Sequence, residues 1–204
     1  MIADHIDATF PSNISVALLG RNGAGKSSLL RMIAGTMNVT SGTIRSNGTV
    51  SWPVGFSGSF HGDLTGAQNV KLIARIYRVD TDALCTFVED FADLGEHFRI
   101  PVRTYSSGMR SRLAFGVSMG IKFDTYLVDE VTSVGDAKFR EKSEAMFVDR
   151  ISNSGAIVVS HSMPLLKRIC SQGAVLEAGK LTWFDTVEEA IAQHNRNMQT
   201  MVAV

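Results

Sequence analysis

Apolar residues recur along the chain at two different periods, and their alternation predicts strands interleaved with helices. Residues 14–19, 125–128 and 156–160 are short apolar runs suited to central strands of a parallel sheet, buried on both faces. Val70, Ile73, Ala74 and Tyr77 share one helical face after Thr65-Gly66-Ala67-Gln68, where threonine and glutamine can form a reciprocal capping box. Leu84, Phe87, Val88 and Phe91 repeat that spacing after Thr81, and Phe139, Ser143, Met146, Phe147 and Ile151 place another helix before the last apolar run. Such stripes are expected to pack as core. Residues 43–52 read as a hairpin turning at Asn47-Gly48, and residues 175–184 as a second one. Thr186-Val187-Glu188-Glu189 then caps a final helix, with residues 196–200 expected to fray.

Composition narrows this only slightly. A chain of 204 residues with 45% hydrophobic content is long enough for one domain with a substantial core. Twenty basic and twenty acidic residues cancel, so no dominant nucleic-acid surface is expected. The two cysteines, Cys85 and Cys170, sit among apolar residues and are expected to be buried free thiols in a reducing compartment. The first residues lack the basic-then-apolar pattern of a secretory signal, and no apolar run approaches a membrane span. A soluble chain is expected, with any membrane role exerted through a partner.

Chemistry enters at Gly20-Arg21-Asn22-Gly23-Ala24-Gly25-Lys26-Ser27, which matches G-x-x-x-x-G-K-[ST] between a buried strand and a helix over residues 26–34 that stops at Gly35. Gly20, Asn22, Gly23, Ala24, Gly25 and Ser28 are expected to turn backbone N–H groups toward phosphates at the helix N-terminus. Lys26 would reach the β- and γ-phosphates, and the Ser27 hydroxyl would help hold Mg²⁺. This pattern predicts a nucleoside triphosphate ligand. Downstream, Tyr126-Leu127-Val128-Asp129-Glu130 delivers two adjacent carboxylates from an apolar strand. Asp129 can hold Mg²⁺ directly or through water, and Glu130 can orient the water that attacks the γ-phosphate, the strand's alternation pointing the two apart.

Between these motifs lies Tyr105-Ser106-Ser107-Gly108-Met109-Arg110-Ser111-Arg112-Leu113-Ala114, which resembles the L-S-G-G-Q-x-x-R signature of ABC-type ATPases. Ser106 takes the signature serine and Gly108 the second glycine, while Ser107 replaces the first glycine and Met109 the glutamine. Small residues at a helix start offer N–H and hydroxyl donors to a phosphate. In the same resemblance Thr132-Ser133-Val134-Gly135-Asp136 falls where such ATPases carry the loop between opposed subunits, and His161 where they carry the switch histidine. The strings around Ser106 and over residues 128–139, with Trp52-Pro53-Val54-Gly55-Phe56-Ser57-Gly58 and Leu64-Thr65-Gly66, are similar to ATP-binding subunits of capsular polysaccharide exporters, and in part to O-antigen and teichoic acid exporters.

The resemblance implies an α/β P-loop NTPase of the ABC ATPase type. Its sheet would be mostly parallel with flanking helices, a helical subdomain over about residues 63–120 and a reduced antiparallel β subdomain, all within a single domain of 1–204. It implies ATP and Mg²⁺, a head-to-tail homodimer, and an integral membrane permease that handles the polysaccharide, with no nucleic acid. The place implied is the cytoplasmic face of the bacterial inner membrane, held peripherally. Lys26 and Ser27 of one copy would share ATP with Ser106 and Gly108 of the other, while Glu130, His161 and Lys26 act on the γ-phosphate. The other class to weigh is a soluble ATPase serving a regulatory or nucleic-acid-associated role, which more often carries coiled-coil insertions or tandem cores. Two departures stand out. Only His5 and Phe10 are available as aromatic partners for adenine before the phosphate loop, which suggests a shortened opening segment. No glutamine occurs among residues 56–61, where the family usually places a metal-contacting one; Ser57 and His61 are read there as solvated loop side chains.

Overall fold

The computed structural model describes residues 3–56, 58, 60–130 and 137–199, so Ser57 and the 132–136 segment lie outside the described residues. The chain divides into two compact units, one built from residues up to Pro53, 123–130 and 148 onward, the other from residues 54–122 and the first part of the helix that follows 136.

The first unit carries a six-stranded sheet. In chain order its strands are β1 (Ser15–Leu19), β2 (Val50–Pro53), β3 (Thr125–Asp129), β4 (Gly155–Val159), β5 (Gln172–Glu177) and β6 (Lys180–Phe184). Their spatial order is β2-β3-β4-β1-β5-β6, parallel throughout except for the β5–β6 pair. Every residue of β1 and β4 is buried, as a continuous apolar run flanked by strands on both sides requires. Helix α1 (Lys26–Ile33) covers this sheet by burying Leu29 and Leu30 against Val16, Leu18, Leu127 and Ile157. Leu30 is wholly buried, so truncation to alanine there should cost about 2–5 kcal/mol. Between β4 and β5 lies α6 (Met163–Ile169), capped by Ser162, and after β6 comes α7 (Val187–Gln199), capped by Thr186.

The two expected hairpins fare differently. Residues 175–184 do form an antiparallel pair, turning at Ala178 and Gly179, both with positive φ of 48° and 78°. That is the backbone a tight hairpin with the sheet's twist needs. Residues 43–52 form no hairpin. Val50–Pro53 instead pairs in parallel with β3, and neither Asn47 nor Gly48 adopts positive φ. Thr49 explains the outcome: its N–H and Oγ1 both donate to Asp124 Oδ2, each at 2.7 Å, and its carbonyl accepts from Asp124 and Thr125. A long-range carboxylate thus supplies the partners that a facing strand would have supplied.

The second unit is helical. It holds α2 (Gly66–Tyr77), α3 (Thr81–Ala92), α4 (Ser107–Gly120) and the start of α5 (Ala137–Ser152), with two short 3₁₀ turns at Gly95–Arg99 and Val102–Thr104. The capping box is present, Thr65 Oγ1 accepting from Gln68 N–H and Gln68 Oε1 from Thr65 N–H. Phe91 organises the core, stacked on Phe87 and Phe115 at 5.7 and 5.8 Å and edge-on to Phe139 at 5.5 Å. Lys142 and Arg112 lie over Phe91 and Phe139 at 4.7 and 4.8 Å, adding cation–π attraction to apolar burial.

Both cysteines are free, but only Cys170 is fully buried, its thiol pushed up to about 12 by desolvation; Cys85 is half-buried. The tail expected to fray is helical through Gln199, because Asn197 is held by side chains from elsewhere in the unit.

Candidate active site

The loop after β1 folds around backbone geometry that side chains rarely permit. Gly23 and Gly25 take φ of 82° and 102°, Gly25 being the residue that leads into α1. Gly20 is confined differently: an added Cβ would run into the Leu176 carbonyl oxygen of β5. Ala24 N–H donates to the Arg21 carbonyl at 3.1 Å and closes the turn. Lys26 Nζ folds back over the loop and donates to the carbonyls of Gly20 and Arg21, at 2.7 and 2.9 Å. Burial depresses the Lys26 ammonium below the ordinary lysine range, and Asp129 and Glu130 oppose that shift. An entering phosphate would favour the charged form further.

Opposite the loop, β3 ends at Asp129, whose Oδ1 accepts from Ser27 Oγ at 3.0 Å. Glu130 follows in the left-handed region at φ 57°, with its N–H donating to Val159 O at 2.8 Å. A non-glycine residue held there is strained, a condition that gathers at functional sites. Glu130 therefore lies on a backbone turn just past the end of β3, where the sequence predicted continued strand alternation. The histidine expected after β4, His161, stands exposed just beyond the strand's end.

These groups share one cavity of about 400 Å³ lined by Asn22, Gly23, Gly25, Lys26, Ser27, Ser28, Asp129, Glu130, Val159 and His161. Most of the residues singled out in the sequence meet here. Gly20 and Ala24 shape the loop from outside the lining, and Val159 is an apolar wall with no signal in the motif. Ser106 and Gly108 belong to the helical unit. Ser106 is the N-cap of α4, its Oγ accepting from Met109 N–H at 3.2 Å, and a Cβ added at Gly108 would meet only Ser106 Oγ, at an ordinary 3.9 Å. His61 is exposed in its loop, its Nδ1 accepting from Asp63 N–H.

The donor set suits a hard divalent cation completed by other ligands. Ser27 and Asp129 offer oxygen atoms already within hydrogen-bond distance, and Mg²⁺ is commonly held by one or two protein oxygens plus phosphates and water. Among the described residues no cluster of three or more His, Cys, Asp or Glu could hold a metal without such help. No helix among them is long and apolar enough to cross a membrane.

A family model described as "ABC transporter" matches residues 3–133. The chain is 48% identical over 192 residues to the polysialic acid transport ATP-binding protein KpsT of Escherichia coli, covering 93% of this chain and 86% of that protein. It is 43% identical over 180 residues to the capsule polysaccharide export ATP-binding protein CtrD of Neisseria meningitidis serogroup B, covering 88% and 83%. The O-antigen export system ATP-binding protein RfbB of Klebsiella pneumoniae is 33% identical over 200 residues, 96% of this chain and 81% of that one. A solved ATP-binding subunit of an ABC transporter superposes with a TM-score of 0.75 over 95% of this chain and 87% of its own, at 16% identity, which speaks to the fold.

Proposed function

The chain belongs to the ABC transporter family, and on that premise we propose that it is the ATP-hydrolysing subunit of a polysaccharide exporter. Its cargo would be a capsular or related surface polymer, crossing the inner membrane through an integral membrane partner, with this subunit held at the cytoplasmic face. The supporting observation is the single cavity in which Lys26, Ser27, Asp129, Glu130 and His161 converge.

In this reading the loop N–H groups and Lys26 bind the β- and γ-phosphates, Lys26 exchanging part of its carbonyl contacts for phosphate oxygens. Ser27 and Asp129 would hold a magnesium ion, which when bound supplies charge neutralisation on the phosphate oxygens. Glu130 accepts a hydrogen bond from water and aims it at the γ-phosphorus, and His161 donates to a γ-phosphate oxygen. Two copies act head to tail, Ser106 and Gly108 of one closing on the nucleotide of the other. Hydrolysis and release reopen the pair, and that two-state change drives the membrane partner. Nucleic acid plays no part, in keeping with the balanced charge of the chain.

Isolation from native membranes tests this reading. A polytopic membrane protein should co-purify stoichiometrically and raise ATP turnover in a Glu130-dependent way, and loss of the chain should abolish display of a surface glycan. A soluble partner or nucleic acid in its place would move the protein to the regulatory class of ABC-type ATPases.

A further inference from the structure

Among Gly20 to Gly25, Arg21 is the one long side chain, and it points away from the cavity lining into a network at the far end of the chain. Its Nε lies 3.2 Å from Glu177 Oε1 of β5, and its Nη2 donates to the carbonyl of Asn197 on α7. Asn197 Nδ2 donates in turn to Glu177 Oε2, and Gln193 Nε2 to Asn197 Oδ1 at 2.6 Å. Both ion-pair partners are about a quarter to a third exposed, at 26% and 34%, so the pair is better shielded than a fully solvated one.

The backbone of Arg21 is part of the lysine cradle. Its carbonyl accepts from Lys26 Nζ and from Ala24 N–H. Two consecutive residues of β5 therefore meet two consecutive residues of the loop: the Leu176 carbonyl abuts Gly20, and the Glu177 carboxylate forms an ion pair with Arg21. We propose that β5 and α7 brace the phosphate loop, with Arg21, Glu177 and Asn197 as positioning residues for nucleotide binding. The inference rests on the reading of this loop as the ATP site. The same face of α7 carries His194, one turn before Asn197. Burial, then the nearby Lys26, lowers its pKa, with His161 and Arg21 adding to the effect and Glu177 opposing it. That set of neighbours places this helix face against the charges of the site.

Titration of the full chain with MgATP and MgADP tests the brace. Arg21→Ala and Glu177→Gln should each weaken nucleotide affinity about fivefold or more, with KM rising by more than kcat falls. Arg21→Lys, which keeps the charge but cannot span both partners, should fall between wild type and Arg21→Ala. The exchange Arg21→Glu with Glu177→Arg should recover affinity only in part, because the ion pair returns while the Asn197 carbonyl loses its donor and the Asn197 amide its acceptor. Affinity unchanged in Arg21→Lys and Glu177→Gln, with only the melting temperature lowered, would overturn the brace and leave these contacts as anchors for α7. Lys26→Ala separates the two claims. If it keeps wild-type affinity, the nucleotide-site reading fails and the brace with it. If it loses affinity while the Arg21 and Glu177 variants do not, only the brace fails.

Discussion

The phosphate loop and the Ser106–Gly108 segment are both runs of small residues leading into a helix, yet they are built in opposite ways. The loop at Gly20–Gly25 is committed: positive φ at Gly23 and Gly25, a glycine abutted by the Leu176 carbonyl, a lysine folded onto two carbonyls, and carboxylates from β3 in the same cavity. The start of α4 is an ordinary helix cap, with Ser106 bonded to Met109 N–H and Gly108 under no close packing, its one near neighbour being Ser106 Oγ. One region gathers charged groups in one cavity within its own unit. The other presents small donors, and only a ligand brought to it would give them work beyond capping. Sequence similarity between short glycine- and serine-rich stretches thus hides a difference in how much function each carries alone.

Substitutions can break or sharpen that contrast. The largest effect is expected at Glu130→Gln, which should slow ATP hydrolysis by about 10²-fold or more while leaving ATP affinity largely intact. A variant with near wild-type turnover would remove Glu130 from its role. Lys26→Ala comes next, because it deletes charge-assisted contacts to two phosphates; nucleotide affinity should fall by about 10²-fold in equilibrium titration. Ser106→Asp is the informative change in the other region. Aspartate caps a helix as well as serine does, so thermal stability should stay within about 0.5 kcal/mol of wild type. A carboxylate facing a phosphate should nonetheless lower turnover by about tenfold or more, with nucleotide binding by a single copy unaffected. Equal losses of stability and turnover would mean that Ser106 serves α4 alone.

Much of the sheet was legible because its central strands announce themselves as apolar runs bounded by loops. The phosphate loop was legible because phosphate binding demands glycine, lysine and serine at fixed spacing, and the Asp129–Glu130 pair because it follows such a run. What escaped was long-range. Nothing local in residues 43–52 reveals that Asp124 will take both donors of Thr49, so Asn47-Gly48 looks like a turn that the chain does not make. The contrast with the true hairpin is measurable: Gly179→Ala should cost about 1–2 kcal/mol at its positive φ. Asn47→Ala should stay within about 0.5 kcal/mol. Likewise Arg21 and Asn197 lie 176 residues apart, and no periodicity in the tail predicts that α7 is held there. Glu130 was expected to continue the strand's alternation, but it sits just past β3 on a left-handed backbone that a strand pattern cannot foretell.

The claim at the centre of this account is that the committed loop of one copy works with the cap segment of another. Mixing two impaired variants tests it directly. Lys26→Ala subunits keep an intact Ser106, and Ser106→Asp subunits keep an intact phosphate loop, so a mixed head-to-tail pair regains one complete site. ATP turnover of the mixture, measured with the membrane partner present, should rise well above that of either variant alone. Turnover that stays at the level of the separate variants, in mixtures shown to contain mixed pairs, would contradict the shared site.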